Sequence, residues 1–194
     1  MNLTRTVAPT AHPVTLERAK VQCAVLFNDH DDMIRDFIAA AVDYLDGPSG
    51  VFGRAICTQT WQLLLPGWPD DLVLPIDPVS AAVVEYRAVA GGSWLALPSS
   101  NYAIAWGNGS TQALFWQPAA VPPDLAPDLY PVRLTLTCGY GAPDSDSIPP
   151  SIKVAILMLV DHWYRNRGVV VAGQVSPELE FNVSALIGKG RRHL

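Results

Sequence analysis

Apolar side chains follow two different rhythms along this chain, and the switches between them divide it into helical, β and helical stretches. Ile34, Phe37, Ile38, Ala41, Val42 and Leu45 recur at i, i+3, i+4, i+7, i+8 and i+11, which places them on one stripe of a helix. Gly47-Pro48 ends that helix, with glycine after the last turn and proline beyond it. Upstream, Leu16, Ala19, Val21 and Cys23 give a short helix an apolar side, and Thr15 is placed to cap it. Residues 1–13, with Pro9 and Pro13 and no periodicity, read as an extended arm.

Between residues 57 and 140 the period changes to two. Trp61, Leu63 and Leu65 share one face of a strand over 57–65. Val132, Leu134, Leu136 and Cys138 alternate with Arg133, Thr135 and Thr137 in a second strand over 132–138. Strands are also expected over 82–89, 93–97, 102–106 and 113–116, with Gly91-Gly92 and Gly107-Asn108-Gly109 supplying hairpin turns. So many short strands imply a small sandwich or barrel. Residues 118–131, which contain five prolines, read as a long crossing loop.

The helical rhythm returns after Pro149-Pro150, where Ile152, Ala155, Ile156, Leu159, Val160 and Trp163 form a second stripe in a helix reaching Arg167. Residues 169–175 are a strand or a loop. Phe181, Val183, Leu186 and Ile187 suggest a short closing helix, and residues 188–194 read as a mobile basic tail. Neither stripe can be buried alone, so the flanking helices must close on each other. The fold class is α+β: a helical bundle built from residues 1–54 and 148–194, with a small antiparallel β domain, 55–147, inserted between them. Its helical core is expected to hold Ile34, Phe37, Ile38, Ile152, Ile156, Leu159 and Trp163.

Composition narrows the function. Apolar residues make up 49% and charged residues 16% of the 194 positions, which fits an ordered chain with a substantial core. A net charge of −5 argues against a surface that grips nucleic acid broadly. The longest apolar run, residues 155–160, is far short of the roughly 20 residues a membrane span needs, and residues 1–11 lack the core of a signal peptide. Cys23, Cys57 and Cys138 are odd in number and widely spaced, so they read as buried free thiols of a reducing compartment.

Candidate chemistry is sparse. Asp29, Asp31 and Asp32 surround His30 with the composition of a metal site, yet they stand at a helix N-terminus, where capping and the macrodipole favour acids. No metal and no cofactor is expected. Asp161 and His162 are adjacent in a helix and therefore point about 100° apart, which does not make an orienting pair. Gly188-Lys189-Gly190 lacks the spacing of a phosphate loop. Trp94, Trp106 and Trp116 either fill the β core or offer a stacking face, so a carbohydrate- or small-ligand-binding module is the alternative reading. A hydrolase using Asp161, His162 or the acids near His30 is the weakest one.

Several phrases, in order, carry a resemblance. They are Thr15-Leu16-x-x-Ala19-Lys20, Gly50-Val51-Phe52-Gly53-Arg54-Ala55-Ile56-Cys57-Thr58-Gln59-Thr60-Trp61, Leu74-Pro75-x-x-Pro78-Val79 and Leu136-Thr137-Cys138-Gly139-Tyr140-Gly141. The last is Ile148-Pro149-Pro150-Ser151-Ile152-Lys153-x-Ala155-Ile156-x-x-Leu159-Val160-x-His162-Trp163-Tyr164-x-Asn166-Arg167. The ordered set resembles the head–tail connector, or adaptor, proteins of long-tailed bacteriophages and gene transfer agents, in particular their longer members with a β insertion. That resemblance implies a virion structural protein without catalysis, made in the host bacterial cytoplasm and placed at the neck. It implies a homo-oligomeric ring, commonly dodecameric, between the portal protein and a tail-side stopper or tail terminator protein. DNA would pass through without specific binding. It also assigns portal contact to the tail, through Lys189, Arg191, Arg192 and Leu194.

Overall fold

The computed structural model describes residues 2–70, 72–107, 111–118, 120–143, 145–166, 177–188 and 190–192. In chain order the elements are β1 (Asn2–Val7), α1 (Leu16–Gln22), α2 (Asp31–Leu45), β2 (Gln59–Leu65), β3 (Leu72–Val73), β4 (Val79–Tyr86) and β5 (Leu95–Ala96). A 3-10 turn (Ser99–Asn101), β6 (Tyr102–Trp106), β7 (Gln112–Trp116), β8 (Val132–Cys138), α3 (Pro150–Arg165) and α4 (Pro177–Ile187) complete it. The fold is α+β, and the chain divides into two compact units. One comprises Met1–Ala8 and Thr58–Gly139, the other Pro9–Cys57 and Tyr140–Leu194.

The β unit is a sandwich of two antiparallel sheets, ordered β1-β2-β8-β4-β5 and β3-β7-β6. Strand β8 is its spine. Its alternate residues Val132, Leu134, Leu136 and Cys138 are all buried, and they lie opposite Leu65, Leu63, Trp61 and Gln59 of β2. On its other side the same residues meet Tyr86, Val84, Ala82 and Val79 of β4. Side chains of both sheets meet between the layers, Leu65, Val84 and Leu134 from one and Leu72, Leu114 and Trp116 from the other.

The first residues depart from expectation. Instead of a free arm, Asn2–Val7 is an edge strand paired antiparallel with β2, from Asn2 opposite Leu64 to Val7 opposite Thr60. Five of its six residues are exposed, so backbone hydrogen bonds rather than burial hold it. The β unit thus gains residues from the start of the chain and runs over Thr58–Gly139 rather than 55–147. The strand expected at 82–89 lies at Val79–Tyr86, and the two-residue β3 had no counterpart in the expected set.

In the helical unit, the stripes of α2 and α3 close on each other. Ile34, Ile38, Ala41 and Leu45 share one core with Ile152, Ala155, Ile156, Leu159, Val160 and Trp163, and Phe37 packs against it half-buried. Helix α3 packs against α1, α2 and α4. Thr15 caps α1 by accepting the Arg18 N–H at 3.3 Å. Capping by acids at α2 is corrected: His30 holds the N-cap position without a side-chain cap bond, and Asp31 and Asp32 lie in the first turn. There Asp31 pairs with Lys20 and Asp32 with Arg35, each at 2.6 Å. In α4, Leu179, Val183 and Ile187 are buried at i, i+4 and i+8, whereas Phe181, expected on the core side, faces outward.

Candidate functional site

The tail and the loop after α2 form a tightly constrained local arrangement in the helical unit. The last carbonyls of α2 would be left without partners, and the returning loop supplies them: Val51 N–H donates to Tyr44 and Phe52 N–H to Leu45, at 3.0 and 3.2 Å. This return needs a glycine, because a Cβ on Gly50 would lie 2.3 Å from the Leu45 carbonyl oxygen. Asp46 fixes the far side of the loop by accepting the Ile56 N–H at 2.7 Å.

Onto this loop the chain end is strapped. Arg54 Nε donates to the Gly190 carbonyl at 2.6 Å, and the Arg192 N–H donates to the Phe52 carbonyl at 3.1 Å. Backbone approaches backbone here. Gly53 has φ +72°, and a Cβ on it would press to 3.1 Å from Arg192 Cβ. A Cβ on Gly190 would press to 3.1 Å from the Phe52 ring. The mobile tail is therefore corrected over residues 190–192. Arg192 is only 9% exposed, so its charge is turned into the subunit. Arg191 is exposed. Lys189 and Leu194 lie outside the described residues. Burial raises the Tyr44 phenol above its ordinary range, Glu180 raises it further and Arg191 draws it back, so α4 and the tail both bear on the end of α2.

The candidate chemical groups are engaged in structure. Asp161 accepts from Arg165 Nε at 2.7 Å, one turn along the same helix, and His162 Nδ1 lies 3.3 Å from the Asn166 amide. His30 Nδ1 lies 2.8 Å from the Tyr164 hydroxyl. Among the described residues, no three His, Cys, Asp or Glu side chains group as metal ligands. Burial pushes the Cys23 and Cys57 thiols up to about 11 and Cys138 up to about 12, which makes all three poor nucleophiles near neutrality.

The tryptophans form no common platform. Trp106 and Trp116 sit at opposite ends of the β6–β7 pair. Trp116 donates to the Pro69 carbonyl and meets Trp68 edge-on at 5.4 Å between centroids. Trp94 is stacked by the guanidinium groups of Arg87 and Arg133, at 4.4 and 4.3 Å from its centroid. The pocket beside Trp68 and Trp116 holds about 10 Å³, room for one water.

No protein-family model matches the chain, and no curated protein matches it in sequence. Solved structures do. A chain in the neck of an empty GTA particle computed with C6 symmetry shares 20% identity at a TM-score of 0.77. A chain in the virion of a native gene transfer agent particle shares 21% identity at 0.76, and one in the neck of a native GTA particle computed with C12 symmetry shares 20% at 0.75. Each match covers 100% of this chain and 98% of the other. From end to end, β unit included, this chain has the fold of a protein found in gene transfer agent necks.

Proposed function

We propose that this chain is a structural head–tail connector subunit, one of a ring of identical copies in the neck of a tailed phage or gene transfer agent. The full-length agreement of fold with chains from necks of six- and twelvefold symmetry carries the reading. The arrangement of the molecule supports it. Its three cysteines are buried with raised pKa values and Asp161 is paired with Arg165, which fits groups that serve packing. Its net charge of −5 suits a conduit along which DNA slides, because an acidic wall repels phosphates.

In this reading the ring is a dodecamer joining the portal protein above to a stopper or tail terminator protein below. The portal contact falls to the chain end, with Lys189 and Arg191 pairing acidic groups of the portal and Leu194 among the contacting residues. Arg192 acts differently: buried against the 52–54 loop, it anchors the strap beside exposed Arg191.

Removal of the gene from a producing strain tests the role. DNA-filled heads without tails should accumulate, and a tagged copy should restore complete particles with label at the neck. Normal tailed particles without the protein, or label elsewhere on the particle, would overturn the reading. Arg191→Glu tests the portal contact: the variant should fold normally and join heads less well.

A further inference from the structure

Two patches of the helical unit expose large apolar side chains at a solvation cost that its own packing does not recover. The first is the corner between α1 and α2. Leu26 is 98% exposed and Val21 82%, with Phe27 beside them. The second is the outer face of α4, where Phe181 is 73% exposed.

The corner is built to hold its shape. Helix α1 ends with the Ala24 N–H donating to Val21 and the Val25 N–H to Lys20, at 3.2 and 2.9 Å, a Schellman closure. It places Ala24 at φ +56°, a conformation that ordinarily calls for glycine. Beyond it, Lys20 Nζ donates to Asn28 at 2.7 Å and to Asp31 at 2.6 Å. The Phe27 ring meets His30 edge-on at 4.8 Å. Leu26 and Phe27 therefore stand on a fixed knob, and a fixed knob loses little entropy on docking.

The α4 face has a complementary form. Phe181, Ala185 and Gly188 follow at i, i+4 and i+7, all exposed, so a bulky ring borders a shallow seat of small residues. Exposed Glu17 and Arg18 both precede Val21 by one turn on α1, so the corner carries both signs, and exposed Glu180 stands beside Phe181.

We infer that the α1–α2 knob of one copy docks on the α4 face of the next, Leu26 seating against Phe181 and Ala185. The inference rests on the ring reading above. The patches differ and lie on separate helices that each pack against α3, so the contact repeated from copy to copy is heterologous and closes a ring when the rotation is right, whereas the same contact made reciprocally would stop at a dimer.

The test is covalent trapping in the full-length protein, in concentrated solution and in assembled necks. A chain carrying both Leu26→Cys and Phe181→Cys should give a disulfide-linked ladder of multimers, while either single change gives none. The native thiols are buried and leave a clean background. As a second arm, Leu26→Asp and Phe181→Asp each abolish higher multimers, and mixing the two yields dimers that stop there. Both positions are exposed, so circular dichroism should be unchanged. Absence of a ladder from both solution and necks overturns the inference while leaving the connector reading standing. A ladder from a protein that never reaches the neck does the opposite.

Discussion

The helical unit and the β unit bury apolar surface in different ways. In the helical unit the core is made of side chains spaced by helical turns on segments far apart in sequence, Ile34 and Ile38 from α2 against Ile156 and Leu159 from α3. Its helices satisfy most of their own backbone, so this core is apolar, and the charged residues that the unit buries, Arg54, Lys153 and Arg192, are long side chains rather than partners for helix backbone. The β unit has short strands and long connections, and its interior takes in polar groups to finish the backbone pairing. Gln112 is the example: its buried carboxamide accepts the Val79 N–H and donates to the Val79 carbonyl at 3.3 Å. Polar bonds serve both units, but in the helical unit they fasten a loop and the chain end, as Arg54 does at Gly190, whereas in the β unit Gln112 of β7 completes the backbone pairing of Val79 in β4.

Four changes would break or sharpen this contrast. Ile156→Ala should destabilise by about 3 kcal/mol through lost transfer energy and a cavity. Faster amide exchange confined to α1 to α4 would mark the cores as separate, whereas loss of protection in β8 as well would mark them as one cooperative body. Gln112→Ala should cost about 2 kcal/mol, because it strands a buried donor and a buried acceptor. Denaturant midpoints would measure it, and Gln112→Leu should recover little, since packing is not what is missing.

Alkali provides a third handle. Each buried thiol keeps its proton to a higher pH when folded, about 11 for Cys23 and Cys57 and about 12 for Cys138, against an ordinary 9.0. Between those limits the folded state binds more protons than the unfolded one, so stability falls as pH rises from about 9. Urea midpoints at about pH 8 and about pH 10.5 should show the drop, and Cys138→Ala should flatten it. The smallest effect runs the other way. Ala24→Gly should stabilise by about 0.5 to 1 kcal/mol, because it relieves the positive φ at the end of α1, and a melting curve would detect it.

Much of this fold was legible because periodicity reports burial. Strands β6 and β8 fall at the expected residues, and both helical stripes face the core, with Phe37 and Val42 half-buried at its margin. What escaped was structure without a burial signal. Strand β1 is exposed on both faces, so its Asn2–Val7 sequence carries no contrast to read. Phe181 violates the pattern of α4, an apolar ring on the exposed side of a helix whose buried residues are Leu179, Val183 and Ile187, so its type pointed to the wrong face. The strap at residues 190–192 depends on the approach of Gly53 and Phe52, more than a hundred positions away, which no local rule reaches.

The pairing of β1 with β2 also sets an order of events during synthesis. At about 5 to 20 residues per second, the first strand leaves the ribosome seconds before its partner and waits longer still for β8, which supports that partner from the other side. Helices α1 and α2 emerge in that interval, so a nascent chain carries an unpaired strand ahead of them. Polar residues on both faces, Asn2, Thr4, Arg5 and Thr6, suit a strand that waits in water.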